Sequence, residues 1–194
     1  MTLSSIHELT VLGKKYYVLI DGFTSEKTIE LNELLRVAQD FSKRYNISLT
    51  FVNPMIIASR IHALLATKYA LKAFANKENI SRKLEIEVLL YVTGRRQIKD
   101  AIKLASLPSK VRDFITIFIA DNESSLNRAY KDFIINFRLK ENESLWKIDS
   151  DKFEYLKKVF EVSDEELNAT YAKNKKEALI KCIISRVTML YVRK

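Results

Sequence analysis

Most of the side chains in this sequence that could take part in binding are cations. Residues 55–112 hold 12 Lys and Arg side chains against 4 Asp and Glu, whereas residues 1–54 hold 6 of each and residues 113–194 hold 15 and 14. Such a cluster makes a local field that attracts polyanions, and nucleic acid is the commonest polyanion that a cytoplasmic protein meets. A solvated, Lys-rich helical surface would give the same count, so charge alone does not separate the two interpretations.

Side chains for acid–base, nucleophilic or metal chemistry are scarce. The chain has two histidines, His7 and His62, one cysteine, Cys182, and three glycines that lie too far apart for a phosphate-binding loop. Because these residues lack the spacing of a zinc site or a disulfide, we expect no metal, no cofactor and a reducing compartment. An RNA-processing enzyme is a weak alternative, since residues 55–112 offer one histidine and four scattered acids.

The apolar runs are short. The longest, such as residues 16–20 and 88–92, fall far below the length of a membrane span, and the N-terminus lacks the pattern of a signal peptide. We therefore expect a cytoplasmic protein with no membrane partner. An apolar content of 47%, with few glycines and prolines and no linker, predicts a single compact domain over residues 1–194.

Hydrophobic periodicity predicts both strands and helices. The predicted strands are residues 7–12, 16–23, 48–52, 114–119 and 145–148, the last as an edge strand. The predicted helices are residues 28–46, 55–75, 97–105, 123–139, 151–160 and 175–191. A turn at Gly13-Lys14 joins the first two strands, Thr28 caps the first helix, and Pro54 opens the second. The pattern indicates an α+β fold with a small mixed or antiparallel sheet packed against several helices.

Residues 83–93 are ambiguous. Their apolar side chains alternate strictly, which favours a strand, although Ser81 would cap a helix and Gly94 would end one.

The helix predicted over residues 55–75 carries Arg60, Lys68 and Lys72 within an arc of about 120°. Isoleucines and leucines lie between these cations, so the face could hold phosphates and unstacked bases together. The alternative is a core helix whose lysine stems cover apolar surface while their ammonium groups reach water.

Three stretches carry a resemblance to a known family: NPMIIASRIH at residues 53–62, ISRKLEIEVLLY at 80–91 and GRRQI at 94–98. They resemble the archaeal type of the PRPK-binding protein (TPRKB-like) family, which are regulatory subunits of the KEOPS complex. The likeness continues over nearly the whole chain, and the GRRQI block is its most specific part. The resemblance implies that residues 82–93 are helical, and we adopt that over the alternation.

The resemblance also implies a function. Members of the family are non-catalytic subunits of the machinery that makes N6-threonylcarbamoyladenosine in tRNA. They dock on the kinase-like ATPase subunit of KEOPS, support its activity, meet the other KEOPS subunits indirectly, and in the archaeal type bind the 3′ CCA end of tRNA. The archaeal-type basic block is retained here, which supports the tRNA role.

An unpaired RNA end needs cations for its phosphates and apolar or hydrogen-bonding groups for its bases. The candidate RNA-binding residues are Arg60, Lys68, Lys72, Arg82, Arg95, Arg96 and Gln97. Arg95 and Arg96 are expected to be the strongest contacts, because an internal salt bridge would occupy only one of two adjacent arginines. Base contacts could come from Ile57, Ser59, Ile61 and His62. His62 could instead be a packed core histidine, and Gln97 could simply stabilise its turn.

The resemblance assigns the terminal helix to the ATPase subunit, through Ile184, Val187, Met189 and Leu190. From the residues alone, such a helix could equally just close the core. A pure protein-interaction subunit that never contacts RNA remains an alternative function.

Overall fold

A β-hairpin begins the part of the chain that the computed structural model describes, residues 6–192. β1 (His7–Val11) pairs antiparallel with β2 (Lys14–Glu30). Leu12 and Gly13 form the turn between them with left-handed φ values of 47° and 78°, as a tight hairpin turn requires. The turn lies one residue earlier than predicted, because the register pairs Val11 with Lys14.

The sheet is antiparallel throughout. β3 (Ile47–Val52), β4 (Lys110–Ala120) and β5 (Leu139–Glu141) join the hairpin in the order β1-β2-β4-β3, and β5 pairs with β2. β2 was expected to end at Phe23 but continues to Glu30, because pairing with β4 and β5 keeps its second half extended. The α+β prediction, with an antiparallel sheet and several helices, is confirmed.

The chain divides by its internal contacts into two compact units. We call Met1–Pro54 with Ser106–Leu145 the sheet unit, and Met55–Ala105 with Trp146–Lys194 the helical unit. The expectation of a single domain over residues 1–194 stays a prediction.

The sheet unit has an aromatic core. α1 (Leu31–Tyr45) and α5 (Glu123–Phe137) pack on the sheet, and the Phe133 ring of α5 lies at the centre of that packing. Ring centroids lie 5.3–6.4 Å from that of Phe133 for Phe23, Phe41, Phe51, Phe114, Phe118 and Phe137. Antiparallel pairing of Phe23 with Phe114 and of Leu19 with Phe118 brings these side chains to one face.

The helical unit contains α2 (Arg60–Ala75), α3 (Leu84–Thr93), α4 (Ile98–Ala105), α6 (Ser150–Val159), α7 (Asp164–Ala169) and α8 (Lys175–Val192). Ala63, Ala66, Ala70 and Ala73 of α2 have no exposed surface, and their small side chains let α3 and α8 approach closely. α3 is buried on several sides, which explains why its sequence lacks a helical period. The helix implied by the resemblance is therefore confirmed.

Three local predictions are wrong, and two short elements were missed. Glu30, not Thr28, precedes α1, and its side chain makes no capping hydrogen bond. Pro54 opens a 3₁₀ turn (Pro54–Ile56), whereas α2 begins only after Ser59, whose Oγ accepts from the His62 amide at 3.1 Å. Residues 145–148, all of which the structure describes, do not form the expected edge strand, since Glu143–Trp146 forms a 3₁₀ turn. Neither β5 nor α7 was predicted, because both are too short to show a period.

Candidate functional site

All the candidate RNA- and partner-binding residues lie in the helical unit. That unit carries 21 Lys and Arg against 12 Asp and Glu, whereas the sheet unit carries 12 of each. The entire excess of positive charge therefore belongs to the unit that holds the proposed surfaces, where it attracts polyanions most strongly.

Arg60 lies at the first residue of α2 and contacts an aromatic ring of its own unit. Its guanidinium carbon is 4.3 Å from the centroid of the Trp146 ring, within the range of a cation–π interaction. Arg60 is thus held against Trp146 rather than simply extended into solvent.

The other cations of α2 lie toward its C-terminal end. Lys72 Nζ is 5.8 Å from the ring centroid of Tyr69 and 5.7 Å from that of Tyr191, and Lys68 is half-buried. Twelve residues separate Arg60 from Lys72, which is about 18 Å along a helix axis. The predicted arc of cations is therefore spread along α2, and Arg60 is distant from the other two.

Gly94 ends α3 in a conformation that favours glycine. Its φ is 65°, and a Cβ at this position would meet Phe160 Cε1 at 3.6 Å. That distance is an ordinary van der Waals contact, so it is the left-handed backbone conformation that would strain any other residue here. The first residue of the GRRQI block is therefore explained by the fold.

Arg95 is used inside the helical unit. Its Nη2 donates to the Val159 carbonyl at 2.6 Å and lies 3.6 Å from Glu161 Oε1. The side chain therefore satisfies a carbonyl in the last turn of α6, a favourable place for a cation. That both arginines are strong RNA contacts stays a prediction, and the Arg95 guanidinium is half-buried and already has these two partners.

Arg96 and Gln97 are exposed, as is Arg82 before α3. The Gln97 carbonyl accepts from the Ala101 amide at 3.0 Å, so its backbone starts α4 while its side chain reaches solvent. The segment before Arg82 is fixed by the buried Glu87 carboxylate, which accepts from the Ile80 and Ser81 amides at 2.9 and 2.8 Å. These contacts hold Arg82 at the surface on a short, tethered segment.

His62 is a core residue. It has no exposed surface, its Nδ1 accepts from the Ala58 amide at 3.2 Å, and its ring lies 5.7 Å from that of Phe160. Burial lowers the pKa of His62 to about 4, because a charged imidazolium is disfavoured away from water. Ile57 is also fully buried, so neither residue is available for the base contact considered above.

The partner-binding residues of α8 separate into two groups. Ile184 is half-buried and Met189 is 36% exposed, whereas Val187 is fully buried and Leu190 is 8% exposed. Val187 and Leu190 share the inward stripe of α8 with Leu179 and Ile183, so they support the surface from within. The resemblance alone could not distinguish the two groups.

Two features were missed by sequence reasoning. The chain's single tryptophan, Trp146, contacts Arg60 and gave no periodic signal, since it lies in a short turn. Arg186 makes a bidentate ion pair with Glu166, at 2.5 and 2.6 Å, and this holds α7 on α8. The Arg186 guanidinium lowers the pKa of Glu166, as expected for a hydrogen-bonded carboxylate beside a cation.

Across residues 6–192, no group of three or more His, Cys, Asp or Glu side chains could hold a metal ion. Within the same described range, no helix combines the length and apolar character that a membrane crossing requires.

The chain belongs to the family described as "Kinase binding protein CGI-121", whose model matches residues 26–190. Among curated relatives, it is 35% identical over 102 residues to the KEOPS complex subunit Cgi121 of Pyrococcus abyssi. That match covers 52% of this chain and 57% of the relative, so it spans little more than half of that protein. It is also 24% identical over 130 residues to the regulatory protein Cgi121 of Methanocaldococcus jannaschii, covering 66% of this chain and 81% of the relative.

Proposed function

We propose that this chain is a non-catalytic accessory subunit of a KEOPS complex. It binds the kinase-like ATPase subunit, supports the activity of that subunit in making N6-threonylcarbamoyladenosine, and binds the 3′ CCA end of tRNA. The proposal rests on one observation about this member of the family: all of its excess positive charge lies in the helical unit. Arg82, Arg96 and Gln97 are exposed there.

Support for the ATPase partner comes from the family. Its description is a kinase binding protein, and the matched region includes most of α8. Exposed apolar side chains of the helical unit, among them Ile61 and Met189, are suited to a protein partner, because burying them on association is favourable.

Support for the RNA contact comes from cations that reach the surface. The exposed Arg82 and Arg96 and the half-buried Lys68 can meet phosphates, and the exposed Gln97 amide can hydrogen-bond a base edge. If these three cations each neutralise one phosphate, the log–log salt dependence of binding has a slope of about −2, at about −0.7 per contact with a single strand.

The test of the RNA role compares full-length tRNA with tRNA trimmed of its CCA end in a fluorescence-anisotropy titration. The proposal predicts a large loss of affinity on trimming. The double variant Arg82→Glu with Arg96→Glu should abolish binding of the intact tRNA, because it replaces two attractions by two repulsions.

Arg36→Glu is the matched control, since Arg36 is exposed on α1 of the electrically neutral sheet unit. It should leave tRNA binding nearly unchanged. Equal affinity for intact and trimmed tRNA would defeat the CCA role and favour a subunit that contacts proteins alone. Binding of the ATPase subunit is measured separately by calorimetry, and stimulation of its ATP hydrolysis by a coupled assay.

A further inference from the structure

Tyr171 presents an aromatic ring to solvent in the helical unit. The residue lies in the connection between α7 and α8 and is 96% exposed, more than any other large apolar side chain that the structure describes. One exposed apolar side chain is ordinary by itself, so the surroundings of the ring decide whether it marks a binding surface.

The connection that carries Tyr171 is held in place by the start of α8. Lys181 Nζ donates to the Tyr171 carbonyl at 2.7 Å and lies 3.0 Å from Glu177 Oε1, while Glu177 Oε2 accepts from the Lys173 amide at 3.0 Å. The Lys181 ammonium is also 5.8 Å from the centroid of the Tyr171 ring, within the range of a cation–π interaction. The ring is therefore presented from a tethered backbone, which lowers the entropy cost of binding a ligand there.

The segment around Tyr171 is positively charged. Its three exposed lysines are Lys173, Lys175 and Lys176. Residues 170–176 contain no acid, and the first acid after them, Glu177, is compensated by Lys181. An open aromatic ring thus lies in a segment that attracts anions.

The acids of α7, which precedes this segment, are largely paired. Asp164 Oδ1 lies 2.6 Å from Lys157 Nζ, and Glu166 Oε2 accepts from Arg186 Nη2 at 2.6 Å. Since these two carboxylates have their own cations, they cancel little of the charge of the three lysines.

RNA with an unpaired nucleotide fits both properties of the segment. A nucleobase stacks on an aromatic ring whatever its sequence, and the phosphates beside it are neutralised by nearby cations. The base has to be unpaired, because the bases of a helix are stacked on one another. An acidic peptide would satisfy the lysines but would leave the Tyr171 ring without a flat partner.

We propose that Tyr171 is a stacking platform for an unpaired nucleotide of tRNA outside the CCA end, with the neighbouring phosphates on Lys173, Lys175 and Lys176. The inference rests on the proposed function, because it takes tRNA to be the ligand. It adds a second contact to that function, which places the CCA end at Arg82 and Arg96. Two contacts with one RNA reinforce each other, since the second forms within the complex that the first has made.

The main test compares Tyr171→Ala with Leu12→Ala, which shortens a 72% exposed side chain of the sheet unit. Binding of the full chain to tRNA trimmed of its CCA end is followed by fluorescence anisotropy at low salt, where phosphate contacts are strongest. Tyr171→Ala should weaken this binding by about tenfold, the effect of losing one stacked base, whereas Leu12→Ala should not change it. Tyr171→Trp should bind as the wild type does, because its ring also stacks. All three variants should unfold at the wild-type temperature.

The lysines are tested with Lys173→Ala combined with Lys175→Ala. The log–log salt slope for trimmed tRNA should become shallower by about 1.4, at about 0.7 per phosphate contact of a single strand. The matched control is Lys27→Ala with Lys131→Ala, which removes two exposed lysines of the sheet unit and should leave the slope unchanged. Ultraviolet cross-linking of the wild-type complex with intact tRNA, read by mass spectrometry, should attach Tyr171 to a nucleotide outside the CCA end.

Wild-type affinity of Tyr171→Ala for trimmed tRNA overturns the inference and leaves the proposed function intact. A cross-link from Tyr171 to the CCA end, or a wild-type chain that binds intact but not trimmed tRNA, overturns it too. Unchanged tRNA binding by Tyr171→Ala with weaker binding of the ATPase subunit assigns the segment to a protein partner and equally overturns it.

The proposed function fails by a different result. Equal affinity of the wild type for intact and trimmed tRNA defeats the CCA role, whereas a loss of affinity in Tyr171→Ala still supports the platform. If the wild type binds neither RNA, the RNA role and the platform both fail.

Discussion

The interiors of the sheet unit and the helical unit are packed with different kinds of side chain. The sheet unit packs large rings around Phe133, and its 12 cations are balanced by 12 acids. The helical unit packs helices through buried alanines, encloses His62, Glu87 and Lys152, and carries nine more cations than acids. Both units enclose polar groups, since the sheet unit buries Asp21, so the difference lies in the core side chains and in the surface charge. A neutral surface suits a scaffold, whereas unbalanced charge costs stability and attracts charged partners.

Enclosed polar groups also explain how the helical unit displays its surface. Glu87 fixes the segment before Arg82, and Arg95 joins the α3–α4 turn to the end of α6. Lys152 is also buried in this unit, and burial lowers its pKa to about 8. The unit thus uses ionisable side chains for two different purposes, some to shape its backbone and others to face a partner.

The largest effect that this contrast predicts is on stability in the sheet unit. Phe133→Ala should lower the free energy of unfolding by about 3–5 kcal/mol, because it opens a cavity among the surrounding rings. Urea unfolding followed by circular dichroism measures this. The tRNA and ATPase affinities of the molecules that remain folded should not change; a parallel loss of binding would contradict the division of roles between the units.

The next effect is a pH dependence that belongs to the helical unit. Below its ordinary pKa of 6.5, an unfolded His62 binds a proton that the folded protein does not accept until about pH 4. Stability should therefore fall as pH falls through this interval, by about 2 kcal/mol between pH 7 and pH 5 at 1.36 kcal/mol per pKa unit.

NMR titration of the His62 imidazole measures its pKa directly. An imidazole that titrates near 6.5 in the folded protein would show that His62 is not enclosed, and would remove one of the contrasts between the two units.

A smaller effect separates two adjacent residues. Arg95→Ala should lower the free energy of unfolding by about 1–2 kcal/mol, because it removes the hydrogen bond to the Val159 carbonyl. Arg96→Ala should change stability by less than about 0.5 kcal/mol, since its side chain is exposed.

For the affinity for tRNA, we expect the larger effect from Arg96→Ala and the smaller one from Arg95→Ala. Arg96→Ala should weaken tRNA binding and reduce the salt slope by about 0.7, whereas Arg95→Ala should alter that slope little. Chemical unfolding and anisotropy titrations at several salt concentrations on the same two variants test this. If Arg95 instead dominates RNA binding, the helical unit reuses its structural cations at the surface.

Periodicity predicted elements well where one face is buried. The hairpin, α1, β3, β4, α5, α6 and α8 were anticipated to within a few residues. The helices among them have one inward face, whereas β3 and β4 are short apolar runs that are buried almost throughout. Periodicity did not predict α3, since this helix is buried on several sides and its apolar residues therefore do not recur at a helical spacing. The extension of β2 and the 3₁₀ turn at Glu143–Trp146 depend on pairing and packing with distant segments.

The residues of the candidate site could be proposed from the sequence, but their surroundings could not. Gly94 was expected to end a helix, and it does. The binding roles of Arg60, Arg95 and Val187 stay predictions, and the structure adds that these side chains meet Trp146, Val159 and the inward face of α8 respectively.

The order of amino acids is enough to show the surplus of cations, the absence of spacing for metal or covalent chemistry, and the family to which the chain belongs. Which of those cations face solvent, and which bind a carbonyl or lie over a ring, depends on the fold. A side chain interacts with the groups that lie near it in space, and Arg60 and Trp146, 86 positions apart, come together only when the chain folds.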